Sequence, residues 1–135
     1  MSRFKEFLMQ GQAEAELLSE IRLPRFEFPF MLRTMTNTEH ESIRKACTTR
    51  AKNPRTGQVD RELDQNRYIH MVIAACVVDP DFNDAELQAH YGVMGADALM
   101  DKLLLAGEFS ELAVAITALN RGITDLGEAV EEAKN

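Results

Sequence analysis

Tryptophan is absent from this chain of 135 residues, and cysteine, proline and glycine are scarce, with two, four and seven copies. Two cysteines are too few for the disulfide framework of a small secreted domain, and Cys47 and Cys76 both lie in apolar helical patterns. We therefore expect two free, buried thiols in an aliphatic core that methionine helps to fill. With 45% hydrophobic residues, the chain can bury one core, which predicts a single domain over residues 1–135.

Long apolar runs are also missing. The longest nearly unbroken one, "YIHMVIAACVV" at residues 68–78, is well short of the roughly 20 residues that a membrane span needs. The N-terminal letters "MSRFKEFLMQGQ" lack the apolar length and cleavage pattern of a signal peptide. These observations predict a soluble cytoplasmic protein with no membrane partner.

Positive charge is scarce in the second part of the chain. Residues 1–78 carry 12 Lys or Arg and 10 Asp or Glu, whereas residues 79–135 carry 3 and 12. The acidic part would repel nucleic acid and anionic membranes. The uneven charge suits head-to-tail contact between copies or binding of a basic partner, so a homo-oligomer is one interpretation. A well-solvated acidic surface explains the same letters.

The first 36 residues predict a helix followed by a β-hairpin. "SRFKEFLMQ" places three apolar side chains on one helical face. Over residues 21–32 the apolar residues, Phe26 and Phe28 among them, recur at the period of a strand. Pro24 and Pro29 cannot donate to a ladder, so we expect strands that lie at an edge or are interrupted there.

Residues 37–135 predict a compact bundle of about five or six short helices, which makes the fold α+β and predominantly α-helical. Two overlapping capping boxes, "TNTE" and "TEHE", begin the first helix, which we expect to continue to the turn "NPRTGQ". Asp60 is placed to cap the next helix. That helix, "RELDQNRYIHMVIAACVV", is apolar on every side from Tyr68, so it should be the central one, with His70 as a hydrogen-bonded core histidine.

Three further short helices are predicted after Pro80, and a fourth closes the chain. The first has Asn83 as its cap and Gly92 at its end. "GADALMDKLLL" and "EFSELAVAITALNRG" form the next two, and Thr124 caps the last. The pattern shows no internal repeat.

The acid-rich stretch "DPDFNDAELQAH" resembles a calcium-binding EF-hand loop, but it lacks the two residues that determine the geometry of such a loop. The sixth position requires glycine and holds Asp84, and the twelfth requires a bidentate glutamate and holds His90. Helix capping explains the same carboxylates. We therefore expect no metal here.

"ELQAHYGVMGADALMDKLL" has the length of a DNA-binding helix-turn-helix. Its second helix would offer phosphates Asp97 and Asp101, with Lys102 as its sole cation. The basic stretch "IRKACTTRAKNPRTG" could contact phosphates but has no interleaved aromatic residues to stack on bases. A solvated helix face followed by a loop explains these residues, and an acidic protein partner, such as a neighbouring copy, would use the same charges. No nucleic acid partner is expected, and a small nucleic-acid-binding regulator remains the alternative.

Signatures of enzymes are missing as well. The sequence contains no G-x-S-x-G, Walker loop, Rossmann fingerprint or H-E-x-x-H, and neither cysteine has a partner at zinc-ligand spacing. We expect no catalytic residues, no metal ligands and no cofactor.

Three segments resemble the XkdN-like phage tail assembly chaperone family: "IRKACT", "DFNDAELQAHYGVMGADALMDKLLLAGEF" and "VEEAKN". The resemblance runs from about Arg25 to the last residue and is densest after Asp81. The chain departs from the family pattern at Ala106, where a proline is expected, and at Phe30, where a tryptophan is expected.

This resemblance implies a non-enzymatic assembly factor. Such proteins hold the tape-measure protein while tail-tube subunits polymerise around it, and they are absent from the mature virion. The tape-measure protein, and with it the tail-tube protein, are therefore the expected partners. A virion tail structural or completion protein is a further alternative.

An adaptable apolar surface suits the holding of an aggregation-prone chain. Our hypothesis assigns part of that surface to the joint after the first helix past Pro80 and to the "EFSELAVAITAL" helix. The partner-binding candidates are Tyr91, Val93, Met94 and Phe109. Each of these side chains could equally belong to the core.

Overall fold

The structure is a computed structural model that describes residues 2–11 and 17–121. Within these ranges the helices are α1 (Arg3–Met9), α2 (Asn37–Cys47), α3 (Gln65–Cys76), α4 (Ala85–His90), α5 (Ala96–Leu103) and α6 (Ala106–Leu119). The strands are β1 (Leu18–Ile21), β2 (Phe30–Arg33), β3 (Thr48–Lys52), β4 (Val59–Leu63) and β5 (Val77–Asp79). The predicted α+β, mainly helical fold is confirmed, and the helix predicted at Thr124 lies outside the described residues.

The N-terminal hairpin is extended into a sheet of three strands. β1 pairs antiparallel with β2, from Leu18 opposite Arg33 to Ile21 opposite Phe30. On its other side β2 pairs antiparallel with β5, in the order β1-β2-β5. The sequence placed the β5 residues at the end of a helix. They form a strand because Val77 and Val78 are β-branched and β2 offers them a free edge.

The strands of this hairpin are shorter than predicted. Phe26 and Phe28 were assigned to a strand, but they lie in the connection of residues 22–29, which bends where the Phe26 amide donates to the Leu23 carbonyl over 2.9 Å. Pro24 and Pro29 lie in the same connection, where their missing N–H groups cost no ladder bond. The prediction of an interruption near the prolines is confirmed, and the strand assignment of the two phenylalanines is wrong.

A second hairpin replaces the predicted end of one helix and start of the next. α2 ends at Cys47, and β3 then pairs antiparallel with β4, from Thr48 opposite Leu63 to Lys52 opposite Val59. Asp60 therefore lies in a strand, and Asp64 caps α3 by accepting from the Arg67 amide over 3.1 Å. The threonines after Cys47 favour extended backbone because their side chains are β-branched. The part predicted as a helical core thus also contains β3, β4 and β5.

The central position predicted for α3 is confirmed. Half of its 12 residues are buried, and it packs against α2, α5 and α6. His70 is 6% exposed and forms hydrogen bonds through Nδ1 to the Asn66 carbonyl (2.7 Å) and through Nε2 to Asp101 (2.8 Å). It is the hydrogen-bonded core histidine that the sequence predicted.

The helix caps explain most of the short polar motifs. Thr36 and Glu39 form a reciprocal capping box at the start of α2, so the box "TNTE" forms and the helix does not begin at "TEHE". Asp84 rather than Asn83 caps α4, accepting from the amides of Glu86 and Leu87. The helix prediction was right, and the cap lies one residue later than expected.

Both cysteines are buried and free, as the sequence predicted. Burial raises the pKa of the Cys76 thiol to about 11 and also raises the pKa of the Cys47 thiol. Among the described helices, none is long and apolar enough to cross a membrane.

Candidate partner-binding surface

The acid-rich turn before α4 is held by its own hydrogen bonds and by one buried ring. Asp81 accepts from the Asn83 amide over 2.9 Å, and the Phe82 side chain is fully buried. The Asp79–Pro80 peptide bond at its start is cis. Over residues 2–11 and 17–121, no group of three or more His, Cys, Asp or Glu side chains is placed to hold a metal ion. The carboxylates here act as backbone acceptors.

The joint between α4 and α5 is fixed by one side chain. Gln88 donates to the Phe82 carbonyl over 2.9 Å and accepts from the Gly95 amide over 3.0 Å. Gly92 and Gly95 both have positive φ, 69° and 99°, a backbone that favours glycine. The joint is therefore a defined turn that leaves Met94 exposed, whereas Val93 packs against the core.

An ion pair ties the β1–β2 connection to the start of α6. Arg25 donates through Nε to both carboxylate oxygens of Glu108, at 3.2 and 3.0 Å, and through Nη2 to the Leu103 carbonyl at 2.7 Å. The guanidinium also lies 4.4 Å from the ring centroid of Phe26. Hydrogen bonding from Arg25 lowers the pKa of Glu108 despite the opposing effect of burial. The connection is thereby held against the helices.

This arrangement leaves an apolar depression between the β1–β2 connection, the Pro80 turn and α4, which we call the aromatic groove. Its volume is about 270 Å³. Its apolar lining includes Phe26, Phe28, Pro29, Pro80, Leu87 and Tyr91. Phe28 is 72% exposed, and Glu27 and Asp79 contribute carboxylates to the lining. The groove offers an accessible aromatic surface with acidic groups beside it.

The four candidate residues do not form one surface. Tyr91 is 36% exposed and lines the aromatic groove, and Met94 is 92% exposed on the joint between α4 and α5. Val93 is half-buried and packs against the core. Phe109 is also half-buried, with its ring 4.9 Å from that of His70. Two of the four side chains are accessible, and the other two face the interior.

Sequence reasoning missed most of the groove. Phe28, Pro29 and Pro80 were assigned to strand or turn roles, and their shared location depends on contacts between distant parts of the chain. The one local signal was the pair of prolines that flank an aromatic-rich stretch, because prolines disfavour an unbroken strand. The Arg25–Glu108 pair, 83 residues apart, left no signal at all.

A larger cleft, of about 710 Å³, lies along α3. Its lining combines the charged side chains of Asp64, Arg67 and Asp97 with small residues such as Ala74 and Ala75. The cleft also contains the apolar side chains of Ile43 and Met71, but a larger share of its accessible surface is polar than in the aromatic groove. The smaller aromatic groove is therefore the better candidate for binding an apolar segment.

Comparison with known proteins gives the chain a family. The model of the phage XkdN-like tail assembly chaperone proteins matches residues 4–134. The crystal structure of the protein YqbN is similar in fold, with a TM-score of 0.71 and 22% sequence identity, over 85% of this chain and 93% of that one. No curated protein matches the chain at a significant level. Because the family model covers nearly the whole sequence, the chain belongs to the XkdN-like phage tail assembly chaperone family.

Proposed function

We propose that this tail assembly chaperone binds the tape-measure protein in the host cytoplasm and keeps it soluble while the tail tube forms around it. Family membership supports a role in tail assembly. The tape-measure protein as client follows from what the family resemblance implies. The exposed aromatic groove beside the β1–β2 connection is the observation from which we assign client binding to particular residues.

The groove is suited to an apolar client because part of its aromatic surface faces solvent. Burying a phenylalanine side chain fully contributes about 1.5–3 kcal/mol, and Phe28 is 72% exposed before any partner binds. The walls are fixed in advance by the Arg25–Glu108 pair and by the edge-to-face packing of Phe26 on Phe30, whose centroids lie 5.0 Å apart. A preformed surface loses little entropy on binding.

The charges beside the groove indicate which apolar segment fits best. Glu27 and Asp79 line it, and the chain carries a net charge of −7. Carboxylates around an apolar site favour partners with complementary positive charge and increase the rate of encounter. We infer that the preferred client segment is an apolar stretch flanked by Lys or Arg.

Among the four candidate residues, Tyr91 and Met94 contact the client in this proposal. Tyr91 lines the groove, and Met94 offers a flexible, almost fully exposed side chain. Val93 and Phe109 instead pack against buried residues of the core. Substituting Phe109 would therefore damage the fold as well as any contact, whereas Met94 can be changed without disturbing the core.

Co-expression with the tape-measure protein tests the proposal. A variant carrying Phe28→Ser and Tyr91→Ser should recover at least about tenfold less soluble tape-measure protein in pull-downs, since two aromatic anchors are lost. The control is Val114→Ser, a residue that is 51% exposed on α6 and does not line the groove. Equal recovery with the groove variant, or equal loss with the control, would place the client elsewhere.

The proposal also separates this chain from a structural component of the particle. A chaperone acts during assembly, so purified virions should lack it by mass spectrometry. The tail-tube protein and further copies of the chain are the other partners proposed for the assembling complex. Stoichiometric recovery from finished particles would favour a tail completion protein instead.

A further inference from the structure

The β3–β4 hairpin, with its turn at residues 53–58, is an exposed ribbon with a charged surface that the proposed client groove does not use. Every residue of both strands is exposed except Leu63, which is half-buried. The two strands pair extensively with each other and make few contacts with other described elements. The ribbon therefore extends from the body with two accessible faces.

Strand register sorts the charges of the ribbon by sign. Residues directly opposite each other share a face, and faces alternate along a strand. Arg50 lies opposite Arg61, and two residues further along the same face Lys52 lies opposite Val59. We call this the cationic face. The other face holds the pairs Thr49 with Glu62 and Ala51 with Asp60, which bring carboxylates and no cation.

The cationic face has no partner within the part of the chain that the structure describes. The side chains of Arg50, Lys52 and Arg61 take part in none of the ion pairs there. Like charges directly opposite each other on a ribbon are destabilising. An anionic group bound across Arg50 and Arg61 would remove this repulsion.

We propose that the cationic face binds an acidic helix of a partner protein. The Cβ atoms of Arg50 and Arg61 are about 5 Å apart in this register, with Lys52 about 7 Å further along the strand. Glutamates at i and i+4 on a helix have a matching spacing of about 5–6 Å. Val59, 58% exposed on the same face, adds an apolar contact that a leucine beside the glutamates would cover.

Nucleic acid fits this surface less well. Val59 is exposed on the cationic face, and phosphates make no favourable contact with an apolar side chain. Asp60 and Glu62 lie on the opposite face of the same two-stranded ribbon, close enough to repel a bound polyanion. The net charge of −7 adds long-range repulsion. A folded helix with a few carboxylates meets the three cations locally and carries far less charge overall.

The test uses the full chain, labelled for NMR, and a synthetic helical peptide with Glu at i and i+4 and Leu beside them. The peptide should shift the amide resonances of Thr48–Lys52 and Val59–Leu63, and salt should weaken binding. Arg50→Gln with Arg61→Gln should reduce affinity roughly tenfold, because two exposed ion pairs are lost. Arg50→Lys with Arg61→Lys should retain most of it.

The matched control is Asp60→Asn with Glu62→Gln, which neutralises the opposite face and should leave peptide binding intact or stronger. Amide shifts of each variant alone report whether the ribbon still forms, so a lost ribbon is not mistaken for a lost contact. Absent ribbon shifts, or equal binding by the Arg→Gln variant, would overturn the proposal. Duplex DNA binding with the same arginine dependence would overturn it in favour of nucleic acid, and arginine-dependent sedimentation of the chain alone would assign the face to a second copy.

Discussion

At Glu108 one carboxylate joins three parts of the chain. It accepts from Arg25 of the β1–β2 connection and from the Leu105 amide (2.8 Å) at the start of α6, and its guanidinium partner reaches the carbonyl that ends α5. Arg25 lowers the pKa of this glutamate in the folded state, whereas an unfolded glutamate titrates near pH 4.3. The stabilisation is therefore fully present above about pH 4.3 and is lost as the pH falls through the folded pKa.

Glu108→Gln should lower the melting temperature at pH 7, because the ion pair is lost and a neutral amide accepts from Arg25 more weakly than a carboxylate does. The variant should also lose less stability than the wild type between about pH 5 and pH 3, since one titrating group is gone. Thermal unfolding followed by circular dichroism measures both effects. Glu111→Gln, an exposed glutamate on the same helix, is the control and should follow the wild type.

The two thiols make a second prediction for single residues. Both are buried, and burial raises the pKa of Cys76 to about 11, so almost no thiolate exists at pH 8. A disulfide reagent such as DTNB should leave both cysteines unmodified in the native protein and modify both in concentrated urea. Rapid labelling of either one under native conditions would show that the core around α3 opens easily.

Substitutions of Phe82 and Phe28 should affect different properties, the first the stability of the fold and the second the binding of the client. Phe82 is fully buried beneath the acid-rich turn, so Phe82→Ala should cost about 3–5 kcal/mol of unfolding free energy. Phe28 is mostly exposed, and Phe28→Ala should change stability by less than about 0.5 kcal/mol while weakening client binding. Urea unfolding curves measure both. A large stability loss for Phe28→Ala would mean that this ring belongs to the core.

At the scale of elements, local patterns predicted the helices and the existence of the β1–β2 hairpin, whereas β5 and the β3–β4 hairpin were predicted as helix. The overlapping boxes "TNTE" and "TEHE" located the start of α2 to within two residues, and the apolar residues on every side of α3 identified the central helix, because caps and periodicity are local signals. β5 depends on pairing with β2, which lies more than 40 residues earlier in the sequence. β3 and β4 carry a helix-like mixture of charged residues and alanine that hid their pairing.

The ribbon provides the test at this scale. Replacing residues 49–62 with a short Gly-Ser link should change the unfolding free energy by less than about 1 kcal/mol, because the segment buries little and a shorter loop is slightly easier to close. At the base of the ribbon, the Asp64 amide donates to the Cys47 carbonyl over 2.8 Å, and this hydrogen bond should persist in the variant. Chemical denaturation compares the variant with the full chain. Loss of cooperative unfolding would show that the ribbon supports the core.

For the whole molecule, the sequence predicted the class of protein, a tail assembly chaperone, but only part of the candidate partner-binding surface. Tyr91, at the end of α4, and Met94, in the turn between Gly92 and Gly95, are both accessible, as a contact surface requires. The rest of the groove is assembled from the β1–β2 connection, the Pro80 turn, α4 and the end of α5, which meet only in the folded chain. No local pattern could bring these segments together.

The central claim is that the aromatic groove binds the tape-measure protein, and photo-crosslinking measures this most directly. A benzophenone amino acid placed at position 28 should crosslink to the tape-measure protein in cells that are assembling tails, and the crosslink should map to an apolar segment with basic flanks. The same probe at position 114, on the exposed surface of α6, should give little product. Equal crosslinking from both positions, or product from position 114 alone, would contradict the account.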